Sequence, residues 1–135
     1  MKLDDYIAVS GVSEVHKLVT SKSNGLILAN LDTGKTKFYP VRKHQFTPMA
    51  SVAIYTLEDT IPLVDVFVRM KDKMSEFPVP KASEDKMVLL EYFEHIVPDY
   101  DEDRVYVSDI KKVVKWFTYL NDRKILEKVA SSEEE

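Results

Sequence analysis

The sequence predicts an α+β protein in two parts, a small five-stranded β-barrel followed by a three-helix unit. Short apolar runs separated by turn residues fill residues 1–57, which is the pattern of an all-β unit. After residue 57 apolar residues recur at the helical period of about 3.6. The charge changes at the same place, because residues 1–57 hold seven bases and four acids whereas the rest of the chain holds 12 bases and 19 acids.

Five strands are predicted in the N-terminal part. Asn24-Gly25 separates the second run from the third and predicts a tight hairpin, since both residues tolerate positive φ. Gly34 serves the next hairpin in the same way. We expect the sheet to close, because closure removes exposed strand edges. The predicted strands are Tyr6–Val9, Val15–Val19, Leu26–Leu31, Thr36–Tyr39 and Ser51–Thr56.

Three helices are predicted in the C-terminal part. Asp59-Thr60, Ser83 and Ser108 are the expected N-terminal caps, because their side-chain oxygens can accept from free backbone N–H groups. The predicted domains are a barrel over 1–57, a helical unit over 58–130 and a disordered acidic tail over 131–135. The buried stripes are expected at Leu63, Val66, Phe67, Met70 and Met74, at Leu89, Leu90, Phe93, Ile96 and Val97, and at Ile110, Val113, Val114, Phe117 and Leu120.

Composition excludes several classes of protein. The chain has no cysteine, which excludes disulfides and thiolate metal sites. No apolar run approaches the ~18 residues that a membrane span needs. Asp4 and Asp5 stand where a signal peptide would carry positive charge. We therefore expect a soluble, cytoplasmic protein that makes no membrane contact.

Catalytic motifs are missing from the sequence. His16, His44 and His95 are isolated from one another, and the three glycines never cluster as a phosphate-binding loop requires. The acidic run 99–103 begins like a calcium loop but has Arg104 where the sharp turn needs glycine. We therefore expect no catalytic residue, no metal and no cofactor, and predict that the protein is not an enzyme.

A basic and aromatic segment is the first candidate binding surface. Small barrels bind single-stranded nucleic acid with cations along a groove and aromatic rings on which bases stack. Phe38 and Phe46 also belong to this segment, although the alternative interpretation places them in the core and the lysines on a solvated face. The candidate residues are Lys35, Lys37, Tyr39, Arg42, Lys43 and His44.

The third predicted helix carries a second candidate surface. Its lysines could contact a phosphate backbone, and its aromatic residues could anchor a protein partner. The partner is thus RNA or DNA in one hypothesis and a protein in the other, where the chain is an interaction or scaffold module. Because each part is small, packing of one part on the other or homo-oligomerisation is expected. The residues are Lys111, Lys112, Lys115, Trp116 and Tyr119.

Segments along most of the chain carry a family resemblance. They include IAVSG at 7–11, NGLI at 24–27, AIYT at 53–56 and the stretch from Val97 to Trp116. Over residues 3–125 the chain resembles an uncharacterised protein family of the Bacteroidetes. The resemblance implies an SH3-like (Tudor- or KOW-like) N-terminal barrel and a C-terminal helical unit, and it brings no catalytic residue. His16 stands where the resemblance places tyrosine.

Overall fold

The computed structural model describes residues 5–10 and 14–126. The chain divides into two compact units, Met1–Val52 and Ala53–Glu135. Five antiparallel strands in the first unit and three helices in the second confirm the α+β class. The predicted tail over 131–135 lies outside the described residues. None of the helices described is both long enough and apolar enough to cross a bilayer.

The first unit is an antiparallel sheet in the order β4-β3-β2-β1-β5, followed by one 3₁₀ turn at Met49–Ser51. Leu18 of β2 lies opposite Leu28 of β3, and the register shifts between Leu18 and Thr20, which marks a β-bulge. The strands are β1 Tyr6–Val9, β2 Val15–Lys22, β3 Gly25–Asn30, β4 Thr36–Pro40 and β5 Phe46–Pro48.

One face of this sheet forms the core of the first unit. Ile7, Val9, Leu28 and Tyr39 are its buried residues, and Leu18, Leu26 and Phe46 pack against them. The sheet is curled, because His44 contacts both the Tyr39 ring of β4 and the carbonyl oxygen of Ser10, which follows β1. In a flat sheet β1 and β4 would lie about 14 Å apart.

The predicted closed barrel is not confirmed, since neither sheet among the described residues is closed. The fifth strand was also wrongly placed. Ala53–Tyr55 (β6) pairs with Thr60–Pro62 (β7) in the second unit, and the strand beside β1 is β5. β5 could not be predicted from the sequence, because a strand of three residues is too short to show alternation. Its proline, Pro48, suits an edge strand.

The second unit adds three helices to the β6–β7 hairpin: α1 Leu63–Asp72, α2 Lys86–Ile96 and α3 Val107–Asp122. The predicted caps are not used. Helix α1 begins after Pro62, α2 begins after Asp85, and the Asp109 carboxylate accepts from the Tyr106 N–H at 3.0 Å at the start of α3. All three predicted helices are therefore present, and each begins a few residues from its predicted start.

Aromatic packing holds the helices of this unit together. Phe67 of α1 meets Phe117 of α3 with ring centroids 5.8 Å apart, and Phe93 of α2 meets Tyr100 at 5.1 Å. All three phenylalanines are essentially inaccessible to solvent. Burial of each contributes about 1.5–3 kcal/mol, so these contacts explain why the predicted stripes form one core. Met74 departs from its predicted stripe, because it follows the end of α1 and is exposed.

Candidate nucleic-acid interface

The predicted basic and aromatic segment lies on and around β4. Lys35 precedes the strand and Lys37 belongs to it, whereas Arg42 and Lys43 stand in the connection to β5. These four cations are exposed, and His44 is half-buried in the same connection. The charged side chains of the segment are therefore accessible, whereas its aromatic rings differ in how far they are buried.

Tyr39 is a core residue. Its side chain is 8% exposed, and its hydroxyl lies 3.3 Å from Nε2 of His16. The His16 and His44 rings each contact the Tyr39 ring edge-on at 5.4 Å, and the Lys37 ammonium lies 5.3 Å from its centre. A ring enclosed in this way offers no face on which a base could stack.

His44 links the β4–β5 connection to Ser10, the residue that follows β1. Its Nδ1 lies 3.2 Å from the Ser10 carbonyl oxygen, and the Gln45 N–H donates to the Ser10 hydroxyl at 2.8 Å. Burial lowers the pKa of His16, and the neighbouring Glu14 opposes this shift with a smaller effect. Both histidines therefore make contacts within the first unit.

Phe38 is the accessible ring of the segment. Successive side chains of a strand point to opposite faces, so Phe38 lies on the face opposite to Tyr39. It is 39% exposed and packs over Gly25 of the neighbouring strand, where an added Cβ would come within 2.8 Å of the ring. Lys22 stands directly opposite Gly25 across the β2–β3 ladder. A partly exposed apolar ring therefore lies on the sheet face opposite to the core, close to the strand position of Lys22.

The β4–β5 connection brings Arg42 and Lys43 to this end of the sheet. The Val41 N–H donates to the Asn24 carbonyl at 2.9 Å, which joins the β4–β5 connection to the β2–β3 turn. This junction places the connection beside the end of β2. We define the Phe38 surface as Phe38, Lys22, Arg42 and Lys43.

Basic residues outnumber acidic ones in the strands and connections that carry this surface. Between Val15 and Leu57 the sequence has six lysines or arginines and a single acid, Asp32. Asp32 follows β3 at the end of the sheet away from Gly25. The local field therefore favours an anion, in contrast to the net charge of −4 for the whole chain.

The second predicted set lies on α3, in the other unit. Lys111, Lys112 and Lys115 are exposed and Trp116 is half-buried. The Tyr119 ring is covered by Arg123, whose guanidinium carbon lies 3.5 Å from the ring centre. This set keeps accessible cations, but its tyrosine is already engaged within the helix.

The sequence leaves open whether Phe38 belongs to the binding segment or to the core, and it places Lys22 in neither candidate surface. Two adjacent aromatic residues in β4 leave undecided which one points inward, because either choice satisfies alternation. Gly25 is the available signal, because a glycine in a strand often marks a place where another group approaches the backbone closely.

The fold defines a class of small α+β protein with a curled five-stranded antiparallel sheet, a β-hairpin and three helices. No group of three or more potential metal-ligating side chains occurs among residues 5–10 and 14–126. No curated protein matches the chain.

The chain belongs to the family described as Domain of unknown function (DUF6852), whose match covers residues 52–120. It is also similar to a protein from Bacteroides vulgatus, solved by solution NMR as a structural-genomics target. The two share 28% sequence identity with a TM-score of 0.74, over 92% of this chain and 89% of that chain. These findings confirm the resemblance to an uncharacterised Bacteroidetes-type family.

Proposed function

We propose that this protein is a non-catalytic binding module that holds single-stranded RNA or DNA on the Phe38 surface. The observation that carries the proposal is the Phe38 ring, which is 39% exposed and packs over Gly25, directly opposite which Lys22 stands in the sheet. An exposed ring on a sheet is available to a base because its opposite side is already supported by the backbone.

Stacking supplies the first part of the binding energy. A base on an aromatic side chain contributes about 1–3 kcal/mol, with little dependence on base identity. Gly25 leaves room for the Phe38 ring, since an added Cβ would come within 2.8 Å of it. The surface is therefore suited to unpaired bases, whose faces are open, more than to a duplex, whose bases are stacked on each other.

Electrostatic attraction supplies the second part. Lys22 is the last residue of β2, whereas Arg42 and Lys43 stand in the β4–β5 connection, which a backbone hydrogen bond joins to the β2–β3 turn. Three phosphate contacts on a single strand predict an affinity loss of about 20-fold between 50 and 200 mM salt. Lys17 of β2 lies on the same sheet face as Phe38 and would extend the cationic path.

The proposal includes a finer fold assignment, an SH3-like barrel left partly open. Its support is the strand order β4-β3-β2-β1-β5 together with the curl that brings His44 against both Tyr39 and Ser10. A bulge in β2 favours this curl, because bulges increase local twist.

Fluorescence anisotropy with labelled single-stranded RNA and DNA tests the proposal. We expect binding at 50 mM salt that weakens steeply by 200 mM, and Phe38→Leu to weaken it at least about fivefold. Replacing Lys22, Arg42 and Lys43 together with glutamine should make the salt slope shallower by about 2.

A matched control separates local contacts from net charge. Replacing Lys111, Lys112 and Lys115 with glutamine changes the net charge by the same amount but leaves the Phe38 surface intact. Equal losses in both triple variants would overturn the proposal, and a loss confined to the control would place the interface on α3. Absence of binding at 50 mM salt would leave the alternative, a protein-interaction module without nucleic-acid contact.

A further inference from the structure

The second unit contains an open groove of about 550 Å³ between α2 and the connection that leads into α3. Its volume falls within the range of ordinary ligand sites. Met87 and Leu90 of α2 form one side, and Tyr106 lies on the other. All the lining residues belong to the second unit, whereas the Phe38 surface belongs to the first.

The groove exposes large apolar side chains. Met87 is 73% exposed and Tyr106 is 64% exposed, although both residues stand beside well-packed elements. Neither side chain stabilises the core at that exposure, and clustered apolar residues on a surface mark contact sites. Methionine also adapts its shape to different partners, because its side chain is unbranched and flexible.

Three carboxylates surround these apolar residues. Glu91 and Glu94 belong to α2 and Glu102 belongs to the connection, while Lys86 is the basic residue of the lining. Burial raises the pKa of Tyr100, and Glu102 and Glu94 raise it further, which places carboxylates of two different elements near the same ring. Within the part of the chain that the structure describes, none of the three forms an ion pair.

The wall formed by the connection is held in place before any partner arrives. The Leu57 N–H donates to the Asp99 carbonyl and the Asp101 N–H donates to the Tyr55 carbonyl, each at 2.9 Å. Arg104 then donates to the Asp101 carboxylate at 2.8 Å. A groove with fixed walls loses less conformational entropy on binding than one that must be ordered by its ligand.

We propose that this groove binds a basic amphipathic peptide segment of a partner protein. An apolar side chain of the segment packs between Met87 and Tyr106, and flanking lysines or arginines lie against the carboxylates of Glu91, Glu94 and Glu102. Charge complementarity selects this occupant, because three carboxylates against one lysine give the lining a net negative charge, which repels nucleic acid and acidic segments alike. The apolar floor in turn favours a segment with a hydrophobic anchor over a simple polycation.

An NMR titration of the full ¹⁵N-labelled chain tests the proposal. The probe is a blocked pentapeptide, Lys-Leu-Arg-Phe-Lys, and its counterpart with glutamate at the three basic positions is the control. We expect the basic probe to shift the amide signals of Met87, Leu90 and Tyr106, and the acidic probe to leave them unchanged. Absence of shifts at millimolar peptide, or shifts centred elsewhere, would overturn the proposal.

Variants with equal charge change make the test specific. Replacing Glu91, Glu94 and Glu102 with glutamine should weaken the basic probe by about tenfold. Replacing the exposed Glu58, Glu76 and Glu84 with glutamine should leave its affinity within about twofold, because these residues do not line the groove. Equal weakening by both triples would mean that net charge alone attracts the peptide.

A second copy of the chain is the competing occupant. Signals of Met87 and Tyr106 that broaden with protein concentration, in the absence of peptide, would assign the groove to self-association and contradict the peptide proposal. Sharp, concentration-independent signals from the free protein are the expected result.

Discussion

Tyr39 and His16 form a buried pair between strands that are not neighbours in the sheet. The Tyr39 hydroxyl lies 3.3 Å from Nε2 of His16, and β3 separates their two strands. The pair therefore connects β2 to β4 across the inner face, where the other members of the core are apolar. A polar pair in such a place must be satisfied internally, because water does not reach it.

The pair makes the stability of the first unit depend on pH. Burial lowers the pKa of His16 below 6.5, so the unfolded chain takes up a proton at a higher pH than the folded chain. The free energy of unfolding should therefore fall as the pH decreases from 6.5 towards the folded pKa, and the loss is complete below that value. Urea unfolding between pH 5 and 8 would show this slope, and His16→Gln should reduce it. Titration of His16 at or above 6.5 in an NMR experiment would contradict the prediction.

Tyr39→Phe keeps the ring contacts but removes the hydroxyl from the pair. We expect a loss of about 1–2 kcal/mol in the free energy of unfolding, because Nε2 of His16 is left buried without its partner. Tyr55→Phe is the matched control, since Tyr55 is 45% exposed and should change stability by less than about 0.5 kcal/mol. Equal effects in chemical denaturation would show that the hydroxyl contributes nothing.

Two glycines of the first unit should respond differently to alanine. At Gly25 an added Cβ would collide with the Tyr39 carbonyl oxygen and the Phe38 ring, so we expect a loss of at least about 1–3 kcal/mol. At Gly34 the added Cβ meets open space, and the cost comes from a φ of 73°, about 1 kcal/mol. Thermal unfolding of both variants checks the order, which would be reversed if packing on Gly25 were loose.

Helix α2 offers a matched test of core and surface. Phe93→Ala should cost about 3–5 kcal/mol, because Phe93 is completely buried and leaves a cavity. Met87→Ala on the same helix should cost less than about 0.5 kcal/mol, because Met87 is mostly exposed. Circular dichroism during urea unfolding distinguishes them. A large loss at Met87 would mean that the groove is part of the core.

The helical part of the fold could be predicted because its signal is repetitive. Val66, Phe67 and Met70 recur at a period that only a helix satisfies, and the corresponding residues of α2 and α3 do the same. The starts of the helices could not be predicted, since several side chains near each start could have capped it. The choice depends on where tertiary packing begins the first turn.

The strands were harder to predict than the helices, because their sequence patterns are short or ambiguous. β5 has three residues, which is too short for alternation to be visible, and β6 shares its apolar character with the strands of the other unit. The orientation of Phe38 and Tyr39 depends on register, which the bulge in β2 helps to set. The groove of the second unit could not be predicted for another reason. Met87 and Glu102 both line it, but they come together only when the connection folds against α2.

The bulge in β2 also predicts where a related chain can gain or lose one residue without changing the strand pairing in the rest of the sheet. Because Leu18 pairs with Leu28 and Thr20 pairs with Ile27, Val19 is the surplus residue of the ladder, and it is 53% exposed. Deleting Val19 would leave every other β2 side chain on its present face, whereas deleting Lys17 would invert part of the strand. We therefore expect relatives to gain or lose a residue in β2 at this position, with a flatter sheet in those that lack it.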